Sequence, residues 1–106
     1  MSDSAELTML EIVSSEVIAD EIVAVLKEQG VTHYTELDRA HGVGDSGPVL
    51  GSMVWPGDNS VIMAVIDNAA HAERVAAALK LLRDRRRAVR PGTGISVFAV
   101  PCHQLL

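Results

Sequence analysis

Aromatic residues are scarce in this sequence of 106 residues, which contains one Trp, one Tyr and one Phe. Proteins that bind single-stranded nucleic acid commonly stack bases on aromatic side chains. The net charge of −5 also opposes binding to phosphate backbones over the whole surface. We therefore expect no nucleic-acid partner, and we expect the core to be built from aliphatic side chains.

Cysteine and long apolar segments are scarce as well. The single Cys102 excludes an intramolecular disulfide, and no run approaches the roughly 18 apolar residues of a transmembrane helix. The acidic first residues lack the pattern of a signal peptide. We expect one cytoplasmic domain over residues 1–106, with no direct membrane insertion.

Hydrophobic periodicity predicts two strand–helix–strand halves. Ile18, Ile22 and Leu26 recur on one side of a helix that Gly30 ends. The second helix shows a similar stripe, and arginines occupy its last turn, where the helix dipole favours cations. The predicted elements are a strand at 7–13, a helix at 15–29, a strand at 31–40, a loop at 41–59, a strand at 60–66, a helix from 69 into the 83–90 segment, and a strand at 95–100 stopped by Pro101.

This order predicts an α+β, ferredoxin-like βαββαβ fold, in which an antiparallel sheet carries both helices on one face. The strand at 60–66 is apolar at every position after Ser60, so both of its faces are apolar. Two helices cover only one face of the sheet. The other face would expose a broad apolar patch, which predicts self-association over it.

The loop at 41–59 contains five glycines and two prolines. Loops of this length in compact domains are usually functional or disordered. Residues 42–47 have the GxGxxG spacing of dinucleotide folds, but Pro48 and Pro56 exclude the helix that this motif requires. Two interpretations stay open: a flexible loop without a ligand, or a loop whose backbone amides hold a ligand or partner.

The sequence resembles the P-II superfamily of trimeric signalling proteins, and more closely its P-II-like members. The resemblance covers most of the chain and rests on segments 30–35, 42–44, 59–66, 92–94 and 97–101. In that family the long loop is called the T-loop, here about 41–59. The turn before the last strand is called the B-loop, here 90–95.

The resemblance implies a homotrimer that packs its open sheet faces together. It implies adenine nucleotides (ATP, ADP or AMP) as effectors in the clefts between subunits, with no required cofactor. The T-loop would then engage a regulated partner such as a membrane transporter or an enzyme. Asp45, Ser46, Leu50 and Trp55 are the candidate partner-binding residues of this loop, although Trp55 packed against its own subunit would instead anchor the loop base.

Site residues follow from the resemblance one by one. Thr35 matches the threonine near the adenine, Gly42 and Gly44 open the T-loop beside the phosphates, and Gly92 and Gly94 match the B-loop glycines. Five of the nine basic residues lie within 83–90; this segment is either a solvated helix end or a source of phosphate ligands. The predicted nucleotide or anion site comprises Thr35, Gly42, Gly44, Arg87, Arg90, Gly92 and Gly94.

The sequence departs from the classical family pattern at three places. Ile95 stands where classical members have a phosphate-binding lysine, the modified loop tyrosine is absent, and residues 101–106 carry no Lys or Arg. These departures favour a weaker or different nucleotide, or another anion.

Metal and catalytic motifs are sparse. His41 and His103 are weak candidate metal ligands, because the four histidines form no HxxxH pattern and Cys102 is adjacent to His103. A metal-responsive P-II-like or divalent-cation-tolerance trimer is the alternative function. No paired carboxylates or Ser-His-Asp set is visible, so we expect a protein that is not an enzyme.

Overall fold

The computed structural model describes residues 7–40, 43–44, 47–48, 59–89 and 94–106. The order of the main elements agrees with the prediction, and a short strand pair is added inside the predicted loop. The elements are β1 Leu7–Ser15, a 3-10 turn Glu16–Ile18, α1 Ala19–Glu28, β2 Thr35–Ala40, β3 Val43–Gly44, β4 Gly47–Pro48, β5 Asn59–Ile66, α2 Ala69–Val89 and β6 Ile95–Cys102.

The four long strands form one antiparallel sheet in the order β2-β5-β1-β6. The first strands of the two halves, β1 and β5, lie side by side at its centre, and each half contributes one edge strand. This is the ferredoxin-like arrangement that the sequence predicted. The strands β3 and β4 pair only with each other, through Val43 with Pro48 and Gly44 with Gly47.

The hydrophobic core lies between the sheet and the two helices. Alternate residues of the central strands face the helices, and Ile12 and Ile62 are fully buried there. The predicted apolar stripe of α2 consists of Ala72, Val75, Leu79 and Leu82. It is confirmed, since all four side chains are buried. The largest contributors to the core are Leu10, Ile12, Ile22, Leu26, Ile62, Val75 and Leu79.

The opposite face of the sheet, which we call the open face, is apolar and uncovered within the described part of the chain. The prediction that β5 is apolar on both faces is confirmed: Ile62, Ala64 and Ile66 are buried, whereas Val65 is 52% exposed. Large apolar side chains of both edge strands share this face with Val65. Their exposed fractions are 51% for Leu37, 56% for Phe98 and 43% for Val100.

Side chains close both ends of the first helical segment. The Ser15 hydroxyl accepts a hydrogen bond from the Val17 N–H at 3.2 Å, so the segment begins as a 3-10 turn rather than as α-helix. At the other end Gly30 adopts φ 83°, a left-handed conformation that favours glycine. The His71 Nε2 atom, from the start of α2, lies 2.6 Å from the Gln29 carbonyl oxygen and caps the helix end.

Four predicted strand boundaries differ from the structure. The strand β1 ends at Ser15 rather than at residue 13, and β5 begins at Asn59 rather than at residue 60. The second strand begins at Thr35 and not at Val31, because the Val31 N–H donates to the Leu26 carbonyl at 2.8 Å and the Val31 side chain is buried in the core. The last strand continues through Pro101, which pairs with Thr8. Proline is tolerated there because β6 is an edge strand, whose outward backbone positions have no strand partner.

Gly30 gives a test of this helix end. We expect Gly30→Ala to lower the free energy of unfolding by about 1–2 kcal/mol, because a left-handed backbone is strained for a residue with a Cβ atom. The new Cβ would meet only His71 Nε2, at an ordinary 3.9 Å, so steric overlap adds little. Urea unfolding at fixed protein concentration measures the change. Gly30→Asn is the matched control and should lose less, since Asn tolerates this conformation; equal stability of Gly30→Ala and the wild type would contradict the account.

Candidate functional site

One end of the sheet collects the segments that the sequence singled out. Ser15 pairs with Asn59, Ala40 pairs with Asn59, and Ser14 pairs with Ile95. Strands β1 and β2 therefore end where β5 and β6 begin. We call this the loop end, because the chain leaves β2 and returns to β5 there through 41–58, and joins α2 to β6 there through 90–94.

Two of the predicted glycines can be placed. Gly94 directly precedes Ile95 at the loop end; it is exposed, and an added Cβ would meet no atom within 4 Å. Contacts with the other described residues therefore do not explain why position 94 is a glycine rather than a larger residue. Gly44 lies in β3, four positions after the last residue of β2. The predicted residues His41, Gly42, Asp45, Ser46, Leu50, Trp55, Arg90 and Gly92 lie outside the described residues.

Thr35 lies far from the loop end of its own chain. It is the first residue of β2, pairs with Met63 in the middle of β5, and faces the open side of the sheet. Ala40 lies five positions further along β2, a distance of roughly 16 Å along a strand. One chain therefore does not bring Thr35 together with Gly94.

The arginine-rich end of α2 lies at the loop end. Arg86, in the last turn of α2, forms an ion pair with Glu21 in the first turn of α1, which fixes the two helices antiparallel. The Arg83 Nε atom lies 3.3 Å from Asp84 Oδ1. Arg87 is exposed in the last turn. Part of the positive charge is thus matched by acids, and all of it complements the C-terminal end of the helix dipole.

Buried serines lie at the same end of the sheet. Ser14 and Ser60 pair across the central strands and are 4% and 0% exposed. The Ser14 hydroxyl donates to the Ser15 carbonyl at 3.1 Å. Ser60 Oγ has no hydrogen-bond partner within the described structure. Sequence reasoning missed these residues, although hydroxyls at the ends of the two central strands were a visible signal.

An acidic group borders the loop end on the side of β2. This group extends along β2 from Glu36, beside Thr35, to Asp38, and includes Asp20 and Glu16 at the start of the first helical segment. The pKa of Glu36 is raised, first by desolvation, then by a hydrogen bond with Asp38, and then by the negative charges of Asp38, Asp20 and Glu16. The Glu16 carboxylate also accepts the backbone N–H of Arg39, a non-glycine residue with φ 62°. This contact holds the irregular backbone where the chain leaves β2. The loop end is therefore acidic beside β2 and basic beside α2.

Metal-binding residues do not cluster in the described ranges, where no group of three His, Cys, Asp or Glu side chains is placed to hold an ion. His71 is engaged at the end of α1, and His103 is exposed beyond β6, at the far end of the sheet from Ile95.

Among the helices that the structure describes, none is long and apolar enough to cross a membrane.

Solved structures with this fold exist. CPII from Thiomonas intermedia K12, a nitrogen regulatory PII-like protein bound to ADP, AMP and bicarbonate, superposes with a TM-score of 0.72 at 16% identity, over 95% of this chain and 94% of that one. A putative PII-like signalling protein from Thermus thermophilus gives 0.61 at 21% identity, over 95% and 90%. The chain has the PII-like fold.

This chain also superposes on a functionally unknown protein from Pediococcus pentosaceus ATCC 25745. The TM-score is 0.57 at 15% identity, over 97% of this chain and 98% of that one. No protein-family model matches the sequence, and no curated protein matches it. The resemblance stated from the residues is confirmed at the level of the fold. The ligand residues stay a prediction.

The acidic group gives a test with a defined pH dependence. A raised carboxyl pKa means that the folded chain holds this proton more tightly than the unfolded chain does. The stabilising contribution of protonated Glu36 is therefore present at low pH and is lost as pH rises through the folded pKa. We expect Glu36→Gln to raise the Tm at pH 7, with the gain shrinking toward pH 4.

Calorimetric unfolding at the two pH values measures this difference. Glu73→Gln, which removes an exposed carboxyl in the first half of α2 and outside the acidic group, is the control and should change the Tm little at either pH. A Glu36→Gln variant that is less stable at pH 7 would show that the charge is favourable, contrary to this account.

Proposed function

We propose that this chain is a PII-like regulatory protein that is not an enzyme. It senses an adenine nucleotide or a similar small anion in clefts between subunits of a homotrimer, and it acts on a partner protein through segment 41–59. The observation that carries the proposal is the position of the arginine-rich end of α2 beside Gly94, at the end of the sheet where segment 41–58 also leaves and returns.

The open face supports self-association. Val65, Phe98 and Val100 expose about half of their surfaces to water on one side of the sheet, and contiguous apolar patches of this kind mark interaction surfaces. Packing against further copies removes this area from water. Self-association also matters for the ligand site. Thr35 lies on the open face, far from the loop end of its own chain, so it can lie near a loop end only if that loop end belongs to another subunit.

The ligand is argued from charge. Ile95, which replaces the lysine of classical members, is 7% exposed and packs in the core, so this position supplies no cation. Positive charge at the loop end comes instead from the last turn of α2, where Arg87 lies, and from Arg90 just beyond it. Guanidinium groups bind phosphate and carboxylate oxygens bidentately. CPII, which shares the fold, is bound to ADP, AMP and bicarbonate, and these are the first ligands to test.

Segment 41–59 is the proposed output. It starts where β2 becomes irregular, with a register shift between Leu37 and Ala40 and with Arg39 held by Glu16. It carries the proposed partner contacts Asp45, Ser46, Leu50 and Trp55. Tryptophan is enriched among residues that dominate binding energy at interfaces. The proposed target is a membrane transporter or a metabolic enzyme, and ligand binding at the base of the segment would shift its population of states.

Titration calorimetry tests the ligand. We expect ADP or AMP to bind, with bicarbonate tested alone and together with each nucleotide. Arg90→Ala should weaken binding at least about tenfold, because a hydrogen bond to a charged group contributes about 1.5–3 kcal/mol. Arg74→Ala, in the first half of the same helix, is the matched control and should bind as the wild type does.

Two outcomes would contradict the ligand proposal. Absence of binding for ATP, ADP and AMP at millimolar concentration would reject an adenine nucleotide. Equal affinities of Arg90→Ala and the wild type would place the ligand elsewhere.

Sedimentation velocity tests the assembly. We expect the wild type to sediment as a trimer and Val65→Glu to dissociate, because the new carboxylate would be buried in an apolar interface without a partner. Leu81→Glu is the matched control: Leu81 is 64% exposed but lies on α2, on the other side of the molecule, so this variant should stay assembled. A monodisperse wild-type monomer at micromolar concentration would reject the trimer.

A further inference from the structure

A single carboxyl group stands in the middle of the open face. Glu11 lies on β1, one of the two central strands, and it pairs with Met63 of β5 on one side and with Phe98 of β6 on the other. Its side chain is already partly buried in the chain alone. It takes part in no ion pair or hydrogen bond with the other described residues.

The surroundings of Glu11 on this face are uncharged. Directly opposite residues on one face of a sheet approach closely, and the diagonal neighbours lie within about 7–8 Å. Arg39 lies two strands away, beyond the register shift of β2. On β1, β5 and β6, the one other titratable group of this face is Cys102, which pairs with Leu7, four positions along β1 and roughly 13 Å from Glu11. The neighbours are Met9 and Val13 on β1, Val61, Met63 and Val65 on β5, and Ser96, Phe98 and Val100 on β6.

Association of open faces would bury this carboxyl among apolar side chains. A second copy brings the same residues, so the strands β1, β5 and β6 of its open face offer no cation. An ionised carboxylate is costly in such a place, whereas the protonated acid is not, so burial favours the form that carries the proton. Glu11 therefore differs from the exposed carboxyls of this acidic chain, since assembly changes its surroundings.

We propose that self-association of the open face is coupled to proton uptake at Glu11. The inference rests on the assembly part of the proposed function and adds the condition that controls it. Because the assembled state binds the proton more tightly, association is favoured as pH falls and is weakened as pH rises. The assembly then responds to pH in addition to any ligand at the loop end.

Sedimentation equilibrium of the full chain between pH 5.5 and 8.5 tests this coupling. We expect the wild-type association constant to fall as pH rises, by up to about tenfold per pH unit for each Glu11 that loses its proton. Glu11→Gln is neutral and of the same shape, so it should show a flat profile and associate more tightly than the wild type at pH 8.5. Glu73→Gln removes an exposed carboxyl from α2, away from the open face, and should follow the wild type.

A second readout is independent of the association constant. Dissociation of the wild type by dilution in weakly buffered solution should release protons, and dissociation of Glu11→Gln should release fewer. Circular dichroism of the variants establishes that they are folded before the comparison.

The outcomes separate the inference from the proposed function. If wild type and Glu11→Gln are both monomers at every pH, self-association itself is rejected and the inference falls with it. If both assemble with the same pH profile, or if the wild type assembles equally tightly at all pH values, the assembly stands and only the role of Glu11 is overturned. Weaker association of Glu11→Gln would mean that the ionised carboxylate is used, which also overturns the proposal.

Discussion

Two helices cover one face of a four-stranded sheet, and the central strands also carry mostly apolar side chains on the other face. The covered face forms the core through residues such as Ile12 and Ile62, which are fully buried. The other face keeps Val65, Phe98 and Val100 in contact with water within one chain. This imbalance between apolar surface and available cover is the constraint on which the proposed assembly depends, because the described ranges contain no third α-helix to place over the open face.

The same architecture separates charges at the loop end. The helices run antiparallel, so the first turn of α1 and the last turn of α2 meet there, joined by the ion pair of Glu21 and Arg86. Acids collect beside β2, where desolvation first and then these neighbouring acids raise the pKa of Glu36. Arginines collect at the end of α2, where the helix dipole also favours them. The positive side of the loop end is therefore the side of α2, from which the chain continues to Gly94 and β6.

The open face and the loop end are linked by Thr35. In a single chain it lies on the open face, paired with Met63 and remote from Gly94. A ligand site that uses both residues requires two subunits, so the proposed sensing and the proposed assembly depend on one another. In the proposed assembly, the carboxyl of Glu11 at the centre of this face would link association to proton uptake.

Much of the fold was predictable from local patterns. The apolar stripe of α2, the glycine that ends α1 and the two apolar faces of β5 are properties of short segments, and the structure confirms each of them. The limits of β2 and β6 were not predictable in this way. Val31 leaves the strand to close a helix end, and Pro101 remains in a strand because that strand is at the edge. Both depend on neighbours that the local pattern does not specify.

The candidate site was likewise predictable only in part. Glycines at 42, 44, 92 and 94 and the arginine-rich segment were recognisable from the sequence, because residue type alone indicates backbone freedom and charge. Strand register alone decided that Glu11 lies between Met63 and Phe98, that Ser14 lies opposite Ser60, and that Thr35 is remote from the loop end. Away from the ends of the elements, local sequence determines which element a residue joins and which side of it the residue occupies. Pairing between distant strands determines what that side faces.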